Sequence, residues 1–138
     1  MTGRCELRLN CSAMPDRAKP LRHALGAFLR AIEIDADVAM DILTAVGETV
    51  VNVIEHAYGH VARSSSGLVE VVALAEKAQP LRVDVIDGGA FVHRRVPRPG
   101  HGFGLRIVRA IARDVSIDAN DTGTHVKMLF DLSDPRDP

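Results

Sequence analysis

Tryptophan is absent from the chain, tyrosine occurs once and phenylalanine four times. The core must therefore be aliphatic, and recognition of single-stranded nucleic acid by base stacking, which needs aromatic platforms, is disfavoured. Only two cysteines are present, Cys5 and Cys11. That is too few for a disulfide framework and the wrong spacing for a metal knuckle, so both read as small, semi-buried hydrophobes in a reducing compartment. No apolar window approaches a membrane span, and Arg4, Glu6 and Arg8 stand where a secretory leader would need an apolar run. Net charge is −1 with a pI near 6.6, so no global field draws the chain to DNA or to an anionic membrane.

What remains is ordinary globular material. The 138 residues, 46% hydrophobic and 25% charged, are enough for one domain with its own core, and the composition argues against a disordered chain. We expect a single domain over 1–132, a disordered tail over 133–138, and a cytoplasmic location. Charge is balanced overall but not locally. Six acids (Glu33, Asp35, Asp37, Asp41, Glu48, Glu55) lie between Ala31 and Ala62 with no Lys or Arg. From Gly88 to Arg113 the sign reverses, with Arg94, Arg95, Arg98, Arg106, Arg109 and Arg113 and no acid. Such a polarity suggests an anion site built by the second half.

Alternation predicts a strand from about Cys5 to Cys11. Leu21, Leu25, Phe28, Leu29 and Ile32 then predict a helix, with Asp16 as its N-cap and Pro20 near the first turn. A second helix is expected over about 36–58, entered at Asp35, with Val38, Ile42, Ala45, Val46, Val50, Val53, Ile54 and Ala57 in helical period. After a Ser- and Gly-rich loop, two strands join through Gln79 and Pro80. A basic loop over about 90–101 leads into a short helix opened by "GHGFG", and a second hairpin turns at 121–123. The order β-α-α-β-β-α-β-β predicts an α+β fold, a two-layer α/β sandwich whose mixed, mostly antiparallel sheet carries about three helices on one face.

Four short patterns carry chemistry. Glu48 and Asn52 sit four apart, one turn from each other on a helical face. Taken alone they are the solvated edge of a helix; yet Val50, Val51, Val53 and Ile54 leave that helix little room for one. A carboxamide oxygen can hold Mg²⁺ together with substrate phosphates, and a neighbouring carboxylate can take a proton from a hydroxyl. "VIDGG" ends a hydrophobic strand in Asp87-Gly88-Gly89, either a plain turn or a place where a ring approaches backbone while Asp87 accepts a hydrogen bond. Gly100, Gly102 and Gly104 open a helix, where free N–H groups and the helix dipole favour phosphate. Their spacing fits neither the Walker nor the Rossmann pattern. Thr124 follows a turn glycine, a signature of a hairpin and no more.

In this order, E-x-x-x-N, D-x-G, G-x-G-x-G and G-T-x-V, the patterns resemble the GHKL (Bergerat-fold) ATPases. The compact length and the "EHAY" after the asparagine are most similar to the anti-sigma factor serine/threonine-protein kinases of the histidine-kinase-like ATPase type. That resemblance implies ATP and Mg²⁺ as cofactors, Asn52 as the Mg²⁺ ligand, and Glu48 as the catalytic base toward a protein serine. Asp87 would receive the adenine amino group, with Gly89 beside the ring and Thr124 in the same hydrogen-bond set. Gly100, Gly102 and Gly104 would line the phosphates, and Arg94, Arg95 and Arg98 would lie on the lid. Implied partners are a STAS-domain anti-anti-sigma protein, a sigma factor and a second copy of the chain, without direct nucleic-acid or membrane contact. The family often carries a further Gly or Pro after D-x-G, where Ala90 and Phe91 stand here, and 90–99 is short for a lid. A nucleotide-gated partner-switching module without kinase activity is the alternative reading. A sensor-kinase core fits less well, lacking a phospho-acceptor hairpin before Ala36, and an arginine-patch nucleic-acid binder is disfavoured by charge and composition. His56 and His60 have zinc-like spacing without the Glu of a metalloprotease motif, and His93 and His101 fall with the lid.

Overall fold

The computed structural model describes residues 3–12, 15–58, 68–87, 102–120 and 123–132. Strand β1 (Arg4–Ser12) leads through a 3-10 turn (Pro15–Arg17) into helix α1 (Ala18–Ala31), followed by α2 (Ala36–Tyr58). Strands β2 (Leu68–Glu76) and β3 (Leu81–Asp87), helix α3 (Gly102–Ile111), and strands β4 (Asp114–Asn120) and β5 (Gly123–Phe130) complete the chain. The sheet order is β1-β2-β3-β5-β4, and every pairing is antiparallel.

Period-2 patterning decides which face is covered. Val69, Val71, Ala73 and Ala75 of β2 and Leu81, Val83 and Val85 of β3 are buried, as are Val126, Met128 and Phe130 of β5. Against them lie Leu21, Leu25 and Leu29 of α1, Ile42, Ala45, Val46, Val50, Val53 and Ile54 of α2, and Val108 of α3. Each of the larger side chains among these contributes roughly 1.5–3 kcal/mol by leaving water, which outweighs the modest helix propensity of a valine-rich α2. Phe130 is the one aromatic among the largest fully buried side chains of the described residues, as the composition demands. Helix α2 also sends Thr49 into the core, where its hydroxyl donates to the Ala45 carbonyl at 2.8 Å and lies 3.4 Å from Met128 Sδ.

The helix boundaries follow local chemistry. Asp35 caps α2, its Oδ2 accepting the N–H groups of Asp37 (3.0 Å) and Val38 (3.3 Å). Asp16 does not cap α1. The chain approaches α1 through the 3-10 turn, which makes Arg17 the first flanking residue, in a helical conformation and with no side-chain cap. At its other end α1 closes in a Schellman arrangement: Ile34 N–H bonds Leu29 O (3.1 Å) and Glu33 N–H bonds Arg30 O (3.0 Å). Glu33 takes the left-handed φ of 63° that glycine normally supplies there. Cys5 and Cys11 are half-buried free thiols, and burial pushes the Cys11 thiol up despite the nearby Arg17. Among the described residues, no helix is long and apolar enough to cross a membrane.

Candidate functional site

The site assembles where β3 ends. Odd-numbered residues of β3 point toward the helices, so Asp87, at the C-terminal end, is carried into the interior on the same side as Val83 and Val85. The residue is only 4% exposed. Burying a carboxylate is costly unless hydrogen bonds compensate. Here Thr124 at the start of β5 donates its backbone N–H to Asp87 Oδ2 at 2.8 Å, a charge-assisted bond across 37 residues of sequence.

Gly123 makes that bond feasible. Its φ is +143°, and a Cβ placed on it would lie 2.9 Å from Asp87 Oδ1 and 3.3 Å from both Asp87 Cγ and the Asp87 carbonyl oxygen. A side chain at 123 and the buried carboxylate at 87 cannot occupy their present places together. Gly123 is thus a site residue that reading the sequence assigns only to a turn. The available signal was the glycine immediately before Thr124, and its partner lies far away in sequence.

Glu48 and Asn52 lie one turn apart on α2, both half-buried, while their neighbours Thr49, Val50 and Val53 are buried. Helix α2 packs against β3 and β5 on one side and against α3 on another. Helix α2, which carries Glu48 and Asn52, thus packs both on β3, which ends in Asp87, and on α3. Gly102 is the first residue of α3 and Gly104 lies in its first turn, where backbone N–H groups have no intrahelical partner and the dipole favours an anion. Gly89, Gly100, Arg94, Arg95, Arg98, His93 and His101 lie outside the described residues, as do His60 and the side chain of His56. Among the described residues no three His, Cys, Asp or Glu converge on a metal position. The Asn52 carboxamide offers a single oxygen donor, a chemistry that suits a Mg²⁺ ion completed by phosphates and water.

On the opposite face of β3, Asp84 is 6% exposed and bound on two sides. Arg82 Nε lies 2.7 Å from Oδ1, Arg82 Nη2 lies 3.0 Å from Oδ2, and His125 Nε2 lies 2.6 Å from Oδ2. Burial pushes the Asp84 carboxyl up, but the hydrogen bonds from Arg82 and His125 outweigh it and hold the group below the usual carboxylate range. Asp84–His125 and Asp87–Thr124 thus clamp β5 to β3 from both faces of the sheet.

A two-layer sandwich with a buried carboxylate at a central strand end, and a glycine-opened helix packed on the long helix beside it, has the architecture of a nucleotide-binding domain. Residues 11–130 match the Histidine kinase-like ATPase domain, and the chain belongs to that family. ATP binding comes with membership. Among solved structures, the chain is similar to the RsbU and RsbW domains of Rv1364c from Mycobacterium tuberculosis. That match has a TM-score of 0.75 and 27% identity, over 95% of this chain and 33% of that one. It is also similar to the histidine kinase domain of the Erythrobacter litoralis EL346 blue-light activated histidine kinase, with a TM-score of 0.54 and 28% identity over 69% of this chain and 45% of that one. A second structure of the latter protein matches with a TM-score of 0.57 and 27% identity, over 72% of this chain and 32% of that one. The chain thus spans less than half of each of these solved chains. The GHKL resemblance and the sandwich fold expected from the sequence are both found.

Proposed function

We propose that the chain is an anti-sigma regulatory protein serine kinase, folding as a single domain over 1–132, that phosphorylates a STAS-type anti-anti-sigma partner and sequesters a sigma factor. The observation that carries the ATP site is the buried Asp87 carboxylate, fixed by the Thr124 N–H at a strand end that only glycine at 123 leaves open. Similarity to a solved pair of domains named RsbU and RsbW supports the partner-switching part of the reading.

Asp87 accepts the adenine amino group, with Gly89 beside the ring and Thr124 holding Asp87 in place. Gly100, Gly102 and Gly104 present backbone N–H groups to the phosphates, and Arg94, Arg95 and Arg98 add positive charge from the lid. Asn52 holds Mg²⁺, which when bound offsets the charge of the phosphates. Glu48 takes the proton from the partner's serine hydroxyl as Oγ bonds to the γ-phosphorus. The bond from that phosphorus to the β,γ-bridging oxygen breaks, and ADP leaves.

The test is incubation of the chain with labelled ATP and a STAS-domain substrate, with Glu48→Ala alongside. Transfer by the wild type should fall at least about a hundredfold in the variant, the usual scale for a positioned base, while ATP affinity holds. Transfer at the wild-type rate by Glu48→Ala would overturn the assignment of the base. ATP binding without transfer by the wild type would make the chain a nucleotide-gated module instead.

A further inference from the structure

Strands β4 and β5 form a hairpin whose tip, at Gly123, lies against Asp87. Within the hairpin the pairing runs to the tip, through Ala119↔Thr124 and Asn120↔Gly123. The ladder between β3 and β5 stops two residues short of it, at Ile86↔His125. The core anchors of β5, Val126, Met128 and Phe130, all lie on the other side of His125 from the tip. Gly123 and Thr124 therefore project past the last β3–β5 pair, and strand ends beyond a ladder open more readily than strand middles. It is from this projecting end that the Thr124 N–H reaches Asp87 Oδ2 at 2.8 Å.

His125 stands at that last pair and reaches across it. On the sheet face away from the helices, its Nε2 is 2.6 Å from Asp84 Oδ2. Asp84 is paired in register with Lys127, so the bond runs diagonally from β5 to β3, a span that long side chains cover. Another carboxylate is closer in register, since exposed Asp118 of β4 stands directly opposite His125. A bond to Asp118 would only close the hairpin on itself, whereas the bond to Asp84 ties the hairpin to β3. Asp84 is prepared for this bond. Arg82 holds both of its oxygens, at 2.7 and 3.0 Å, and the carboxyl stays below the usual carboxylate range. A carboxylate only accepts, so Nε2 is the donor. Arg82 belongs to β3 itself, so it orients the carboxylate without joining the strands.

We infer that His125 is a positioning residue of the nucleotide site: its bond to Asp84 holds the tip of the β4–β5 hairpin on β3, so that Thr124 stays on Asp87 before any nucleotide arrives. With Asp87 read as the acceptor of the adenine amino group, as proposed above, the outer bond preorganises the inner one. His125 points away from the helices and acts through Thr124, the residue before it, without touching the nucleotide. Apparent affinity scales with the fraction of molecules already in the competent arrangement. If releasing the tip leaves the Thr124–Asp87 bond in about one molecule in ten, the dissociation constant rises about tenfold.

Amide hydrogen exchange and Mg-ATP binding, measured on the full chain as wild type and His125→Ala, test this. Without nucleotide, the protection of the Thr124 amide should fall about tenfold in His125→Ala, while mid-strand Val83 and Val85 keep theirs. The dissociation constant for Mg-ATP should rise about tenfold. His125→Gln, whose amide nitrogen can stand where Nε2 does, should restore most of both. A contribution to overall stability alone would lower the protection of all three amides together. Unchanged Thr124 protection in His125→Ala would overturn the inference, and so would lost protection with unchanged ATP affinity. Asp87→Asn, measured alongside, separates those failures from failure of the adenine reading. If only the role of His125 is wrong, Asp87→Asn still weakens ATP binding. If the adenine reading is wrong, Asp87→Asn binds ATP as the wild type does, and the role of His125 falls with it.

Discussion

Replacing Gly123 with alanine tests the geometry of the site at a single atom. The added Cβ would meet Asp87 Oδ1 at 2.9 Å, with Asp87 Cγ and the backbone carbonyl at 3.3 Å. One of those three contacts is to a backbone atom that cannot swing away, because Asp87 ends a paired strand, and the other two are to a side chain that is buried. The φ of +143° adds a backbone cost of about 1–3 kcal/mol for an L side chain. Relief by rotating the carboxylate would sacrifice the Thr124 bond, worth about 1.5–3 kcal/mol as a hydrogen bond to a charged group. Either route costs about 2–4 kcal/mol in total once partial relaxation is allowed. Urea unfolding reads that loss as a lower midpoint at constant slope. Thermal shift with Mg-ATP should show a reduced nucleotide response, since the carboxylate moves in either case. A variant within about 0.5 kcal/mol of wild type, with a full nucleotide response, would refute the reasoning, because surface changes routinely do no more than that.

The remaining expectations concern the frame around the site. Glu33→Gly should stabilise the chain by about 0.5–1 kcal/mol, as glycine adopts the left-handed φ of the Schellman turn without a steric cost; denaturant midpoints measure it, and a loss of stability would contradict the turn. Asp35→Ala removes the acceptor for two N–H groups and should cost about 1 kcal/mol, read the same way, with no change speaking against the cap. Asp84→Asn should cost about 1–2 kcal/mol at neutral pH, because both partners of the buried carboxylate are half-exposed and screened. The folded-state pKa of Asp84 lies below its ordinary value of 3.8, so its contribution is complete above that value and is lost as pH falls through the lower one. The gap between wild type and variant should therefore close in acid, and a gap that widens below pH 4 would contradict the assignment.

Much of the fold was legible because α2 and the central strands state their periods clearly. The run from Val38 to Ile54 fixes a helical face over several turns, and Asp35 marks its start by a mechanism confined to neighbouring residues. Local signals failed where two readings compete. Asp16 has the chemistry of a cap, yet the 3-10 turn it occupies moves the helix start past it. Glu33 hides a left-handed turn because its side chain gives no hint of one. The candidate site divides along the same line between local and distant signals. Glu48 and Asn52 declare themselves by spacing on one helix, and Asp87 by ending a hydrophobic strand. What holds Asp87 depends on the pairing of β3 with β5, through Gly123 and Thr124, and so does the Asp84–His125 bond on the other face. Neither contact has a local signature, since each joins residues about forty positions apart.

The central claim is that Asp87 anchors an ATP site, and thermal stabilisation of wild type and Asp87→Asn by Mg-ATP, with Mg-GTP and metal-free ATP as controls, tests it most directly. A ligand that binds the folded state alone raises the midpoint by mass action. The account requires a rise with Mg-ATP that exceeds both controls and disappears in Asp87→Asn. A flat wild-type response at millimolar nucleotide, or an equal rise in the variant, would contradict it.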